Sequence, residues 1–261
     1  MVSSLKDWER AERERSAQEA SQEDFSDLKS DPKDIARYLN PPASTIHSLE
    51  FAFHLLGDIR NKTVLEYGCG DGINTILLAN RSTRVLALDI SPDLIEVARR
   101  RLKINGMSDG VDFIAASAHD VPLESESIDI VFGIAILHHL DLELSSKEVY
   151  RVLKKGGVAI CQEPVRNSKT LKAIRKLIPY QAPNVSPYER PLTDQELNHF
   201  ASNFSSYSAK AFELPTSSPV YNMLSLPRNI TEALRRYDAT MLKNFSLLRY
   251  YSPVRVIHMT K

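Results

Sequence analysis

Residues 64–72 read VLEYGCGDG, and this stretch decides the fold. The apolar run that it completes is typical of a buried strand, and a helical pattern follows it. The three glycines can adopt backbone angles that other residues avoid, and they let a ligand approach the main chain closely. The free amides at the start of the following helix can then face a carboxylate of that ligand. The stretch therefore predicts a strand, a binding turn and a helix in series.

From Lys62 onward, short β-rich runs alternate with helical patterns. We expect strands near 63–67, 84–89, 111–115, 128–133 and 157–162, and helices near 72–80, 92–104 and 142–153. Such a series predicts a mainly parallel sheet with right-handed crossovers and helices on both faces. Two later strands, near 206–213 and 254–260, would complete a doubly wound, seven-stranded Rossmann-like α/β sheet.

The chain divides into three predicted parts. Residues 1–60 form an N-terminal helical segment, residues 61–164 the Rossmann-like core, and residues 165–261 a helical substrate cap with the last two strands. Within the first part, residues 4–20 are mostly charged, which favours a solvated or partly disordered leader. A lid over a pocket, with Trp8 as its apolar contact, is the alternative.

Further helical patterns lie outside the core. Residues 45–59 carry apolar side chains at helical spacing and should pack on the sheet. The cap combines a basic helical stretch at 168–177, a proline-rich loop at 179–191 and a helix from 193 to 203. The amino-terminal helices and residues 164–252 would together build the pocket for the substrate.

The composition limits the class of protein. Lys plus Arg and Asp plus Glu each number 33, so the formal net charge is zero and nothing favours a nucleic-acid partner. The longest uninterrupted apolar stretch, 130–137, is far shorter than the roughly 20 residues of a membrane helix. The charged amino terminus argues against a secretory signal, and Cys69 and Cys161 suggest neither disulfides nor a zinc site. We expect a cytoplasmic protein without membrane association or metal.

An acidic residue accompanies the glycine turn. Asp89 ends the next predicted strand, 21 positions after Gly68, where its carboxylate can accept both ribose hydroxyl hydrogens of an adenosine group. Dinucleotide sites usually read Gly-x-Gly-x-x-Gly, whereas this turn reads Gly68-x-Gly70-x-Gly72. Glu66, just ahead of the turn, would repel a pyrophosphate but could receive an ammonium or tolerate a sulfonium.

The region from Lys62 to Pro164 resembles the class I S-adenosylmethionine-dependent methyltransferases, and among them the small-molecule, methyltransferase type 11-like branch. The resemblance rests on four segments, 64–72, 86–92, 127–140 and 151–157. It implies S-adenosyl-L-methionine as the cofactor and methyl transfer to oxygen, nitrogen or carbon of a small-molecule metabolite.

By this resemblance, the glycine turn would hold the methionine part of the cofactor, and Glu66 would reach its amino group directly or through water. Asp89 would hold the ribose, and Ile90 would pack against the adenine. The implied cofactor-binding residues are Glu66, Gly68, Cys69, Gly70, Gly72, Asp89, Ile90, Ser117 and Ala118, of which Cys69 needs only to be small and pack.

The adenine edge departs from the family pattern. Members commonly carry an Asp-Ala pair after the third strand, where this chain has Ser117 and Ala118. The Ser117 hydroxyl and the Ala118 backbone can still form hydrogen bonds. His119 and Asp120 are nearby alternatives for the same contact.

The ends of the fourth and fifth strands should face the transferable methyl group, because ligands of open α/β sheets lie beyond the carboxyl ends of the strands. His138 and His139 are candidate general bases there, and Glu163 could orient a polar acceptor or pair with Arg166. A structural role is the alternative for each. A base is not required, because the sulfonium is an activated donor and alignment supplies much of the rate.

Three other functions stay open. Asn40-Pro41-Pro42 is similar to the Asn-Pro-Pro-aromatic signature of nucleic-acid methyltransferases, but Ala43 follows it and it precedes the cofactor turn. A regulatory protein that binds the cofactor without transfer and a nicotinamide dehydrogenase are the other two. The expected partner is a small-molecule methyl acceptor, and the expected state is a monomer or homodimer.

Overall fold

The computed structural model describes residues 4–22, 28–82, 84–107, 109–170, 190–215 and 226–261. The predicted basic stretch at 168–177 and the proline-rich loop at 179–191 lie largely outside the described residues. Within the described ranges, none of the helices combines the length and the apolar character that a membrane crossing requires.

Seven strands form one sheet. They are β1 (Thr63–Tyr67), β2 (Arg84–Asp89), β3 (Val111–Ala115), β4 (Ile128–Ile134), β5 (Leu153–Pro164), β6 (Ser206–Phe212) and β7 (Val254–Thr260). Their order is β3-β2-β1-β4-β5-β7-β6. The first five strands are parallel, and β7 is antiparallel to both β5 and β6. The predicted mainly parallel, Rossmann-like α/β sheet is therefore confirmed.

Eight α-helices surround the sheet in the described part of the chain. They are α1 (Leu5–Gln22), α2 (Pro32–Leu39), α3 (Ser48–Leu55), α4 (Ile73–Ala79), α5 (Pro92–Ile104), α6 (Leu142–Val152), α7 (Asp194–Phe200) and α8 (Arg228–Asn244). The start of α5 shows why the sequence folds this way, since Ser91 Oγ accepts a hydrogen bond from the Leu94 amide and Pro92 takes the first helical position. This cap sets α5 directly after the tip of β2.

Both faces of the sheet are covered by apolar cores. Val64 packs with Phe53 of α3 and Phe132 of β4 on one face, whereas Leu65 belongs to the core on the other face. Successive side chains of a strand point to opposite faces, so this division follows from the strand geometry. The segment predicted at 45–59 thus packs on the sheet through α3, as expected.

Helix α1 is not a solvated leader, which corrects the interpretation favoured for residues 4–20. Glu12, Ser16 and Ala20 are buried along one side of the helix. Ala20 packs with Leu94 and Val97 of α5. The charge-rich sequence hides this contact, because the buried side of α1 is itself mostly polar and presents no apolar stripe.

Other boundaries differ from the prediction for identifiable reasons. β5 begins at Leu153 rather than near residue 157, because Leu153 pairs with Ile128 ahead of a register shift in β4. Helix α6 consequently ends at Val152. Helices α2 and α8 were not predicted from the sequence.

Candidate functional site

A cavity of about 270 Å³ lies beyond the carboxyl ends of β1 to β4. This volume is near the lower limit of small-molecule pockets, which commonly measure about 300–1,000 Å³. Seven predicted site residues line it: Gly68, Gly70, Asp89, Ile90, Ser117, Ala118 and His139. Five others do not: Glu66, Cys69, Gly72, His138 and Glu163.

The three glycines of the turn after β1 all have positive φ angles, of 81°, 51° and 83° for Gly68, Gly70 and Gly72. A Cβ on Gly68 would lie 2.7 Å from Ile136 Cδ1, and one on Gly72 would lie 2.7 Å from Ala98 Cβ. A Cβ on Gly70 would meet no atom within 4 Å. Gly68 and Gly72 thus allow close packing, and Gly70 is where the backbone faces open space that a ligand can enter.

Asp89 links the tip of β2 to this turn. Its Oδ2 accepts a hydrogen bond of 2.8 Å from the Gly70 amide, and its Oδ1 accepts one of 2.9 Å from the Ser91 amide. Burial raises the pKa of Asp89, and the hydrogen bonds from Ser91 and Gly70 oppose the rise. The carboxyl group is therefore fixed in place while it still lines the cavity.

Two residues of the motif lie beneath the turn. Glu66 is 2% exposed, and its Oε2 accepts a hydrogen bond of 2.6 Å from the Thr75 hydroxyl. Burial raises the pKa of Glu66 to about 8, opposed by the hydrogen bond from Thr75. Cys69 is buried against Ala87 and Ile95, in accord with its expected packing role. The contact between Glu66 and the amino group of a cofactor stays a prediction.

The loop after β3 is held by a residue that the sequence analysis missed. The hydroxyl of Tyr67, at the end of β1, donates a hydrogen bond to the Ala118 carbonyl. The His119 amide donates one of 3.0 Å to Ser117 Oγ. Tyr67 is fully buried, so the loop that carries Ser117 and Ala118 is anchored to the centre of the sheet.

Helix α1 forms one wall of the cavity through Trp8, Glu9, Glu12, Arg15, Ser16 and Glu19. Glu9 Oε1 accepts a hydrogen bond from Ser117 Oγ and lies 3.2 Å from His119 Nδ1. Trp8 is in this wall, as the lid interpretation expects. The pocket is thus built from the first helix and the strand ends together.

The cavity wall after β4 contains His139. Its Nδ1 lies 3.3 Å from Glu12 Oε2, an oxygen that also lies 3.1 Å from Arg15 Nε. Ala135 lines the cavity nearby and has a φ of 56°, a left-handed conformation that is unusual for a residue with a Cβ. The Ala135 amide donates a hydrogen bond of 2.8 Å to the Gln162 carbonyl.

Glu163 holds the loop after β4 from the side that faces away from the cavity. It is fully buried, and its Oε1 accepts hydrogen bonds from the Ile136 and Leu137 amides at 2.9 and 2.8 Å. Its Oε2 lies 2.8 Å from His138 Nδ1. Glu163 and His138 therefore shape the loop that carries His139 rather than the surface of the cavity.

The sequence analysis missed the polar residues of α1 that reach the strand ends, chiefly Glu9 and Glu12. Their signal was weak but present. Trp8, Glu12, Ser16 and Ala20 recur at a spacing of four, which places them on one side of a helix. Ser16 and Ala20 are also small, as a close contact between helices requires. The spacing of these residues does not identify the element that the helix contacts.

Comparison with known proteins finds similarity mainly in the core. Residues 65–161 match a family model described as a methyltransferase domain. A stretch of 100 residues is 39% identical to the ubiquinone/menaquinone biosynthesis C-methyltransferase UbiE of Bartonella bacilliformis, and it covers 37% of this chain and 38% of that protein. The same enzyme of Brucella anthropi is also 39% identical, over 37% of each protein. The match thus spans less than two fifths of these curated relatives.

Solved structures show the fold over a larger share of the chain. Geranyl diphosphate C-methyltransferase from Streptomyces coelicolor A3(2) is similar over 95% of this chain and 96% of that one, with a TM-score of 0.59 and 17% identity. The YcgJ protein from Bacillus subtilis has a TM-score of 0.59 and 19% identity over 83% of this chain and 99% of that one. Residues 65–161 therefore match a methyltransferase domain, within a chain whose fold is similar to that of these solved structures.

Proposed function

We propose that this protein binds S-adenosyl-L-methionine in the cavity at the carboxyl ends of β1 to β4 and transfers its methyl group to a small molecule. The observation that carries the proposal is the shared wall formed by Gly70, Asp89 and Ser117. Gly70 offers an open backbone, Asp89 a fixed carboxyl group, and Ser117 marks the end of the neighbouring strand. These are the contacts that an amino-acid tail, a ribose and a base require in that order.

The charge of the cavity supports a cationic ligand. Glu9, Glu12, Glu19 and Asp89 contribute carboxyl groups to its wall, whereas Arg15 contributes a guanidinium group. Carboxylates stabilise the positive sulfonium and ammonium groups of S-adenosylmethionine, and they repel the pyrophosphate of a nicotinamide dinucleotide. The residues present therefore fit this cofactor better than the dinucleotide alternative.

In this proposal, each part of the cofactor lies at the end of a different strand. The turn after β1 would hold the methionine tail, Asp89 the ribose, and the loop after β3 the adenine. The sulfonium methyl group would then face the loop after β4, where Ile134, Ile136 and His139 line the cavity. This arrangement leaves the β4 side for the methyl acceptor.

Methyl transfer requires mainly that the donor methyl group and the acceptor atom are aligned. When bound, S-adenosylmethionine would supply an activated methyl group, and transfer of that methyl to the acceptor atom would leave the electron pair of the broken bond on the sulfur. In this proposal, His139 takes a proton from an acceptor that loses one, and Glu12 lies beside its Nδ1. Glu163 and His138 are positioning residues in this proposal, since they hold the loop and do not line the cavity.

The acceptor is proposed only as a class. The apolar side chains of Ile134, Ile136 and Leu140 line the acceptor side, which favours a molecule with an apolar part. The names of the UbiE relatives and of the geranyl diphosphate enzyme specify carbon methylation, and carbon is therefore the first acceptor atom to test, before nitrogen and oxygen. A cytoplasmic location, the absence of a nucleic-acid partner and a monomeric or homodimeric state stay predictions.

The test is calorimetric binding of S-adenosylmethionine and S-adenosylhomocysteine to the full chain. Wild-type protein should bind both, and Asp89→Ala should weaken both by about 100-fold or more, because two hydrogen bonds to a carboxylate are lost. Asp112→Ala is the matched control, since Asp112 is exposed on the adjacent strand β3, and its affinity should equal that of the wild type.

Two results would contradict the proposal. One is the lack of measurable binding of either compound to the wild-type protein. The other is equal affinity of wild-type and Asp89→Ala proteins. Formation of a methylated product with candidate acceptors then separates an enzyme from a protein that only binds the cofactor.

A further inference from the structure

Helix α1 brings a carboxylate to the loop after β3, where this chain has Ser117. Glu9 Oε1 accepts a hydrogen bond from Ser117 Oγ and lies 3.2 Å from His119 Nδ1. Both Glu9 and Ser117 line the cavity. An acidic group is therefore present at the base-binding end of the site, although it comes from a helix more than 100 residues away in the sequence.

The surrounding hydrogen bonds fix the direction of these contacts. His119 Nε2 accepts a hydrogen bond of 2.9 Å from the Asp141 amide, so Nδ1 is the ring nitrogen that carries a proton and faces Glu9. The His119 amide donates to Ser117 Oγ, which leaves the hydroxyl hydrogen to be donated to Glu9. Two donors therefore hold Glu9 Oε1 in position.

The second oxygen of Glu9 is available to a ligand. No group in the described part of the chain donates a hydrogen bond to Glu9 Oε2, and the side chain is 17% exposed at the cavity wall. The Ser117 hydroxyl, in contrast, is committed to Glu9 and His119. A hydrogen-bond donor of a ligand at this end would therefore meet Glu9 rather than Ser117.

The sheet order places the base at this end. With the tail at the turn after β1 and the ribose at Asp89 of β2, the methyl group must face the acceptor on the β4 side. The base would then extend in the opposite direction, toward β3, and Trp8, Ile90 and Ala118 are among the residues that line the cavity. The donor that adenine presents along its edge is the exocyclic amino group.

We propose that Glu9 accepts a hydrogen bond from the amino group of the adenine and makes the site selective for that base. This inference rests on the proposed function, because it assumes that the cavity holds S-adenosylmethionine. Hypoxanthine carries a carbonyl oxygen at the same ring position, which a carboxylate repels. Helix α1 thus recognises the cofactor instead of only covering it.

The experiment compares two ligands on three proteins. The ligands are S-adenosylhomocysteine and its analogue with hypoxanthine in place of adenine. The proteins are the wild type, Glu9→Gln and the control Glu14→Gln, which removes the same charge from the exposed side of the same helix. Thermal melts of the free proteins verify that all three are folded.

Wild-type protein should prefer adenine by about 10- to 100-fold, as expected for a hydrogen bond to a charged group. Glu9→Gln should reduce this preference to a few-fold at most, because its amide can donate to the hypoxanthine carbonyl. Glu14→Gln should retain the full preference. The measured quantity is the ratio of the two dissociation constants for each protein.

The outcomes separate this inference from the proposed function. If wild-type protein binds S-adenosylhomocysteine and Glu9→Gln keeps the wild-type ratio, the assignment of Glu9 is wrong while the cofactor site stands. If Glu9→Gln and Glu14→Gln change the ratio equally, the effect is one of helix charge and the assignment is again wrong. If the folded wild-type protein binds neither ligand, the proposed function fails and this inference fails with it.

Discussion

The pKa values of carboxyl groups are shifted in opposite directions at the two ends of the sheet. At the carboxyl end, burial raises the pKa values of Glu66 and Asp89, and the direct hydrogen-bond partners of both are neutral hydroxyl or amide groups. At the amino end, burial acts on Asp129 as well, but hydrogen bonds from the Lys154 ammonium and the Thr63 amide hold its pKa below the usual range.

In the proposed function, this difference distinguishes the carboxyl end of the sheet, which binds the cofactor, from the amino end, which has a structural role. Asp129 is stabilised as an anion inside the folded protein, and it ties β4 to β5 and β1. Glu66 and Asp89 are buried in surroundings that disfavour their charged forms. Such an environment is typical of groups that bind a cationic or hydroxyl-bearing ligand.

The largest expected effect concerns Glu66→Gln. The folded pKa of Glu66, about 8, is above its unfolded value of 4.5, so its contribution to stability is fully present below pH 4.5 and is lost as the pH rises toward 8. Wild-type protein should therefore lose on the order of a few kcal/mol between pH 5 and 8 relative to Glu66→Gln. Urea unfolding at pH 5, 6.5 and 8 measures this difference.

Glutamine keeps the size of the side chain and the contact to Thr75, so a poorly folded variant is not the expected result. Glu14→Gln serves as the control because its side chain is exposed. If wild-type and Glu66→Gln proteins have parallel stability curves across this pH range, the raised pKa of Glu66 is wrong.

A smaller effect distinguishes two glycines with similar backbones. Gly70 and Gly156 have φ angles of 51° and 73°, and a Cβ on either would meet no atom within 4 Å. Alanine at each position should therefore cost about 1–2 kcal/mol of unfolding free energy, because the left-handed conformation is strained. Only Gly70→Ala should also weaken S-adenosylhomocysteine binding, by about tenfold, as the added methyl group enters the cavity.

Calorimetry and urea unfolding of the two variants provide both numbers. Gly156 lies near the amino end of β5, at the end of the sheet opposite to the cavity. Its substitution therefore controls for backbone strain alone. Equal losses of S-adenosylhomocysteine affinity in the two variants would contradict the distinction between the carboxyl and amino ends of the sheet.

The smallest expected effect belongs to Asp129→Asn. Its lowered pKa means that the stabilisation is present above the unfolded pKa and is lost as the pH falls through the folded pKa, the reverse of Glu66. The substitution should cost less than about 1 kcal/mol at pH 7, because the ion pair with Lys154 is partly exposed. Cofactor affinity should not change. A loss of cofactor affinity in this variant would contradict the purely structural role of Asp129 at the amino end of the sheet.

Much of the core could be predicted from the sequence because its signals are local. The run before Gly68 and the helix start at Ser91 and Pro92 depend on neighbouring residues alone, and Asp89 follows from the length of one strand–helix–strand unit. The start of β5 was missed because it depends on pairing between Leu153 and Ile128, which are distant in the sequence.

The role of Glu163 needed the register of the strand as well. A carboxylate at a strand end suggests a ligand contact, but the side chain meets the Ile136 and Leu137 amides inside the protein. The position of α1 was hidden for a different reason. Its buried side consists mostly of polar residues, Glu12 and Ser16, and the sequence alone does not indicate which groups such residues contact.

In the proposed function, the backbone of Ala135 would affect how tightly a methyl acceptor binds. Its left-handed conformation is maintained by the Gln162 carbonyl on one side and by the loop that Glu163 holds on the other. The loop after β4 is consequently preorganised, and the entropy of ordering it is lost during folding rather than at the encounter with the acceptor. An acceptor that matches this rigid surface keeps more of its interaction energy as affinity than one that has to order the loop itself.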